Sequence, residues 1–217
     1  MTAPEYTVPD GARLVLATRN AGKLNELRDL LRGQVPGLDV DTQVIDAATA
    51  GVPDVVEDGT SFAENSLLKS RAVASATGLP SIADDSGLSV DIMGGAPGIF
   101  SARWAGRHGD DQANLDLLLA QLGDIAEPHR GAAFVCAAAL TVPGADEEAY
   151  DVVEYGTLNG TLLREPRGEG GFGYDPILQP EGEARSCAEL SREEKNAISH
   201  RGKAFRALLP AIVKALS

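Results

Sequence analysis

With 217 residues, 43% of them apolar and 24% charged, the sequence has the balance of a soluble globular protein with one sizeable core or two modest lobes. A formal net charge of −13 argues against a general binder of nucleic-acid polymers. No apolar run is long enough to span a bilayer, and residues 1–10 lack the basic-then-apolar pattern of a secretory signal.

The charge is unevenly spread. From Ser191 onward there are six Lys/Arg and two Asp/Glu, so a segment of +4 sits on a body of −17. Such a segment is either a local anion site or a solvated helix. The two cysteines, Cys136 and Cys187, form no CxxC; they point to reduced, cytoplasmic thiols rather than a disulfide framework or a zinc site.

Residues 1–12 read as a loose tail, and 13–217 as a single two-lobed domain with no linker. The apolar run 13–17 reads as a buried strand. Thr18-Arg19-Asn20-Ala21-Gly22-Lys23 follows as a loop, and Leu24, Leu27, Leu30 and Leu31 then repeat at helical spacing. A strand feeding a helix through such a turn offers backbone N–H groups and the positive end of the helix dipole to an anion, and Lys23 adds a full charge. It is not a Walker A loop, because the first glycine is missing and Leu24 stands where a Ser or Thr would hold Mg²⁺.

Alternation over 38–45 predicts a half-exposed second strand. Ser61 and Glu64 make a capping-box pattern, which predicts a helix from Phe62 to about Thr77 closed by Gly78. Asn65 and Lys69 fall one turn apart on one face of it. A short apolar run, 79–83, predicts a buried strand that ends in Asp84-Asp85-Ser86-Gly87. Adjacent residues on extended chain face opposite ways, so the two carboxylates should not share one role. One of them is well placed to hold a hard cation or orient a water. A second strand is expected over 88–93.

Asp110 is placed to cap a helix bearing Leu115, Leu118, Leu119 and Leu122, ended by Gly123. His129 should be exposed. The alanine-rich run 132–142 reads as a central strand, Pro143-Gly144-Ala145-Asp146 as a turn, and 150–158 as a returning strand. A mixed sheet is therefore expected rather than an all-parallel one.

Between Arg164 and Pro176, four glycines crowd one aromatic, Phe172. Glycines allow close approach of backbone to a ligand, and a ring presented on such a loop can stack on a base. Ser191 and Glu194 form another capping box. Lys195, His200 and Arg201 follow, ahead of an amphipathic helix that Pro210 should kink or split.

Taken together, the stretches Leu16-Ala17-Thr18-Arg19-Asn20-Ala21-Gly22-Lys23, Ala83-Asp84-Asp85-Ser86-Gly87-Leu88, Gly94-Gly95-Ala96-Pro97-Gly98-Ile99, Gly170-Gly171-Phe172-Gly173-Tyr174-Asp175-Pro176 and Glu194-Lys195-Asn196-Ala197-Ile198-Ser199-His200-Arg201-Gly202 resemble, in order, the inosine/xanthosine triphosphate pyrophosphatase family. The resemblance implies an elongated mixed α/β fold with two lobes around a central nucleotide-binding cleft, and a cytoplasmic homodimer. It implies Mg²⁺-dependent hydrolysis of the purine nucleoside triphosphates ITP, dITP and XTP to the monophosphate and pyrophosphate, clearing them from the nucleotide pool.

On matching positions, the loop Thr18, Arg19, Asn20, Ala21, Gly22 and Lys23 would hold the triphosphate, with Lys69 approaching from the neighbouring helix and Ser86 touching substrate. Asp85 would bind Mg²⁺ and act on the water, Glu57 would be a second metal ligand, and Asp84 would support the site. Phe172 would stack on the base, with Gly173, Tyr174 and Asp175 completing that wall. Lys195, His200 and Arg201 would read the purine 6-oxygen. Donors aimed at a 6-oxo group lose their partner on a 6-amino purine, which disfavours adenine but not guanine.

Overall fold

A computed structural model describes residues 6–144 and 149–217. The first five residues of the expected tail, and part of the turn expected at 143–146, lie outside these.

The sheet is mixed and six-stranded, in the order β2-β1-β3-β4-β5-β6. Its strands are β1 (Leu14–Leu16), β2 (Val44–Asp46), β3 (Ser81–Val90), β4 (Gly131–Val142), β5 (Tyr150–Leu162) and β6 (Leu178–Pro180). β1 runs parallel to β2 and to β3, whereas β5 and β6 are antiparallel. The helices are α1 (Ala21–Leu31), α2 (Val40–Gln43), α3 (Phe62–Thr77), α4 (Asp111–Gln121), α5 (Arg192–Ile198) and α6 (His200–Leu216).

The chain divides into two compact units. The first comprises 1–85, 137–155 and 204–217. Its core gathers Val15, Ile45, Ala47, Ala50, Val52 and Val73, with Tyr6, Val8 and Ala12 packed against it. The polar face of α3 is satisfied within this unit. Ser66 donates to the carbonyl of Ala137 at 2.7 Å, and the Ser70 and Thr141 hydroxyls lie 2.8 Å apart. The second unit comprises 86–136 and 156–203. Leu88, Val90, Leu115, Leu118, Phe134, Leu162 and Ile177 are among its core residues. In it the buried Arg130 donates to the carbonyls of Leu122, Leu162 and Leu163, each at 2.8 Å, and so ties the end of α4 to the end of β5.

Three local expectations are corrected. The segment 38–45 is not one strand. Asp39 caps a helical turn by accepting from the Asp41 N–H and the Thr42 hydroxyl, so only Val44–Asp46 joins the sheet. The carboxylate pair does not end a strand, because β3 continues through Asp84, Asp85, Ser86 and Gly87 to Val90, and Asp91–Met93 is a 3₁₀ turn. Pro210 lies inside α6 without ending it, and the break in the terminal helical segment falls at Ser199 instead. Pro210 supplies no N–H to the Arg206 carbonyl one turn back, and both residues are exposed.

Candidate active site

In the first unit, β1 delivers the chain into the 17–20 loop and α1. Asn20 is the N-cap: its side-chain oxygen accepts from the N–H groups of Gly22 at 2.9 Å and Lys23 at 3.3 Å, while its own N–H donates to the Thr18 hydroxyl. The free N–H groups expected at this turn are thus partly used by the turn itself. Arg19 points along the surface, donating to Asp54 at 2.6 Å and to the Val52 carbonyl at 3.2 Å.

Along β3, successive side chains leave opposite faces, and the two aspartates do have separate partners. Asp84 is 3% exposed and accepts two bonds from the Lys23 ammonium, at 3.0 and 2.8 Å. Asp85 instead meets α3, where the Asn65 amide donates to it at 3.1 Å and the Lys69 ammonium stands 3.9 Å away. Lys69 also donates to Glu57 at 3.0 Å and to the backbone carbonyl of Asp84 at 2.8 Å. The first unit therefore holds Lys23, Lys69, Asp84, Asp85, Glu57 and the Thr18–Asn20 loop in one connected network.

In the second unit, the glycine-rich loop is folded around Asp175, a residue 2% exposed. One oxygen of that carboxylate accepts from the Phe172 N–H at 2.8 Å and from the Lys195 ammonium at 2.5 Å. At Gly171, with φ of 73°, a Cβ would fall 2.0 Å from the same carboxylate, so only glycine fits. The Gly173 N–H donates to Asp111 at 2.9 Å, and the Tyr174 hydroxyl donates to the Ser101 carbonyl at 2.9 Å. Tyr174 is 5% exposed, and burial pushes its phenol pKa upward.

These anchors leave Phe172 exposed to 69%, with the Lys195 ammonium over its ring at 5.3 Å from the centroid. Tyr174 and Asp175 thus hold the loop from beneath. His200 stacks on Phe134 with ring centroids 5.1 Å apart, and Arg201 follows it in the first turn of α6. Glu194, next to Lys195, is gripped by the Arg185 guanidinium and the Ser191 N–H, which hold its carboxyl down to about 2. Burial pushes the Cys187 thiol up to about 12.

Sequence reasoning gave no role to Asn65, Asp111 or Ser101. Asn65 carried a sign, its position one turn before Lys69. Asp111 and Ser101 carried none, since their partners lie 62 and 73 residues away.

In the first unit, cations and carboxylates meet between β3, α1 and α3; in the second, an aromatic ring stands exposed on a glycine-rich loop; each is equipment of the kind that nucleotide-processing enzymes use. Residues 14–211 match the model of the Ham1 family. The dITP/XTP pyrophosphatase of Streptomyces coelicolor is 67% identical over 200 residues, covering 92% of this chain and 96% of that protein. Among solved structures, a HAM1 protein from Coxiella burnetii superposes with a TM-score of 0.82 at 40% identity, covering 94% of this chain and 99% of its own. A nucleoside-triphosphatase / dITP/XTP pyrophosphatase from Mycobacterium abscessus gives a TM-score of 0.75 at 48% identity, covering 91% and 99%. The chain belongs to the Ham1 family.

Proposed function

We propose that this protein is a nucleoside-triphosphate pyrophosphatase that hydrolyses non-canonical purine nucleotides, ITP, dITP and XTP, to the monophosphate and pyrophosphate. The observation that carries the reading is the pairing of Asp85 with Asn65 and Lys69 beside Glu57: a carboxylate held in place next to cationic charge, as hydrolysis of a polyanion requires. The same name is borne by the Streptomyces relative at 67% identity.

In this reading the loop after β1, strand β3 and helix α3 handle the phosphates. Thr18, Arg19, Asn20, Ala21, Gly22 and Lys23 line the triphosphate, Ser86 touches it, and Lys69 neutralises charge that builds on the departing pyrophosphate. Asp84 keeps Lys23 in position. Asp85 orients the water, whose oxygen forms the new P–O bond as the α–β phosphoanhydride breaks. The glycine-rich loop and the start of α6 handle the base. Phe172 offers the ring face that Lys195 does not cover, and Lys195, His200 and Arg201 recognise the 6-oxygen.

The donor set fits Mg²⁺. Glu57 and Asp85 both present oxygens toward the Lys69 ammonium, and hard cations take oxygen ligands. Among the described residues no cluster of three or more His, Cys, Asp or Glu is built for a metal. Two carboxylates completed by phosphate oxygens and water match the usual habit of this ion. When bound, Mg²⁺ would screen phosphate charge and polarise the phosphoryl oxygens. The same reading makes the enzyme a cytoplasmic homodimer, with its oligomeric state open to sedimentation analysis. Among the described residues no helix is long and apolar enough to cross a membrane.

The test is pyrophosphate release from ITP, XTP, dITP, GTP and ATP, with and without Mg²⁺. Strong Mg²⁺-dependent release from the first three and little from the last two is expected. Equal turnover of all five would overturn the selectivity, and no release from any would overturn the hydrolase.

A further inference from the structure

Asn65 stands on the first turns of α3, 2% exposed, and both ends of its side-chain amide are engaged. Its oxygen accepts from the Gly59 N–H at 2.9 Å, and its nitrogen donates to the Asp85 carboxylate at 3.1 Å. The orientation of the amide is dictated by chemistry. A backbone N–H only donates and a carboxylate only accepts, so the oxygen must face Gly59 and the NH₂ must face Asp85.

Gly59 lies two residues beyond Glu57. The segment there is drawn so close to α3 that a Cβ on residue 59 would sit 2.7 Å from the Asn65 oxygen and 2.8 Å from the Glu64 Cβ. Glu64 reinforces the same attachment by accepting from both the N–H and the hydroxyl of Thr60, each at 2.6 Å. One buried side chain therefore touches β3 at Asp85 and the loop that carries Glu57.

We infer that Asn65 is a positioning residue that sets the spacing between Asp85 and Glu57, so that the two carboxylates are held ready for one divalent cation. The inference rests on the reading of those two residues as the cation's ligands. Outer partners of this kind fix the orientation of a ligand that would otherwise rotate, and their loss is felt as weaker metal binding. Asn65 touches neither substrate nor cation. Its effect reaches the reaction through the two carboxylates.

Three variants separate the two halves of the amide. Asn65→Ala removes both contacts. Asn65→Asp keeps an oxygen for Gly59 but replaces the donor to Asp85 with a like charge. Gly59→Ala forces the loop off Asn65 without changing any polar side chain. Each is compared with the wild type by amide exchange over residues 57–60 in the nucleotide-free protein, by calorimetric titration of Mg²⁺ in the presence of a non-hydrolysable dITP analogue, and by pyrophosphate release from dITP at varied Mg²⁺.

Asn65→Ala is expected to raise the Mg²⁺ concentration for half-maximal activity by about tenfold or more, and to weaken Mg²⁺ binding equally. KM for dITP at saturating Mg²⁺ should stay within about twofold, because the triphosphate and base contacts are untouched. Exchange at Gly59 should quicken in Asn65→Ala and Gly59→Ala and remain slow in Asn65→Asp, which nonetheless shares the Mg²⁺ defect. A wild-type Mg²⁺ requirement in Asn65→Ala and Gly59→Ala, or unchanged Gly59 exchange in Asn65→Ala, overturns the inference. If the wild type releases no pyrophosphate from dITP, ITP or XTP, the proposed function falls, and exchange and calorimetry alone then decide for or against Asn65.

Discussion

The Lys23 ammonium rests on both carboxylate oxygens of Asp84, at 3.0 and 2.8 Å, and the Asp84 side chain is 2% exposed. The charge that sequence reasoning set aside for a phosphate is therefore already paired, in the protein alone, with an anion on β3. Lys23 keeps a third N–H for a ligand, but its more constant task is to compensate Asp84. Removing one partner of a buried pair leaves an uncompensated charge and is far more damaging than removing an exposed one. Lys23→Met should lower unfolding free energy by about 3 kcal/mol in nucleotide-free protein. Asp84→Asn should cost clearly less, since a neutral amide still accepts from Lys23. Urea denaturation of the two variants checks the order, and an equal or reversed cost would show that the buried Asp84 does not depend on the Lys23 charge more than Lys23 depends on that of Asp84.

Asp85 makes the opposite case. It is more open than Asp84, its neighbours are the Asn65 amide and the Lys69 ammonium, and an asparagine in its place can still accept from Asn65. Asp85→Asn should therefore melt within a few degrees of the wild type. Its kcat for dITP should fall by about 10²–10⁴, the range seen when a group acting on a transferred proton or its water is removed. Near-wild-type turnover would take Asp85 out of the mechanism.

The contrast between these two neighbours explains what could be read in the chain beforehand. That Asp84 and Asp85 face opposite ways follows from extended backbone alone, and so was legible. That β3 runs on through both of them was not. Asp-Asp-Ser-Gly has the composition of a turn, and the partners that favour continued strand, Lys23, Asn65 and Lys69, lie 61, 20 and 16 residues away. Helix α3 was readable to its last residue because its ends are local: Ser61 caps one and Gly78, at φ of 70°, closes the other. In the glycine-rich loop, Phe172 was legible as an exposed ring among glycines. The work of Tyr174 and Asp175 was not, because burial of a polar side chain depends on what folds over it.

Phe172 itself does little for the fold. It is 69% exposed, and the loop is held by Asp175, Asp111 and Ser101. Phe172→Ala should leave stability within about 0.5 kcal/mol of the wild type, as for other exposed sites. Stacking on a base is worth about 1–3 kcal/mol, so KM should rise by about tenfold for every purine triphosphate tested. The rise should be similar for ITP, XTP and GTP, since a ring face does not distinguish their edges. Steady-state kinetics of the variant on the three substrates decides it, and an unchanged KM would exclude stacking.

Glu194 gives the fold a defined response to acid. The Arg185 guanidinium, ahead of the Ser191 N–H, brings its carboxyl from the ordinary 4.5 down to about 2. A folded-state value below the unfolded one means that the folded state binds the proton less readily. The associated stability is fully present above about pH 4.5 and is lost as pH falls toward about 2. Because the pair is exposed, salt should screen it. Other carboxyls, Glu64 and Asp151 among them, are also held below their ordinary values, so the wild type alone cannot isolate the effect. The difference between the wild type and Glu194→Gln can. Urea midpoints measured from pH 5.5 to pH 2.5 should fall more steeply for the wild type than for the variant, and the gap should narrow in high salt. Parallel curves would mean that Arg185 holds Glu194 no more tightly in the folded chain than water does. In that case the start of α5, and Lys195 with it, would owe its position to the Ser191 cap and to the bond between Lys195 and Asp175.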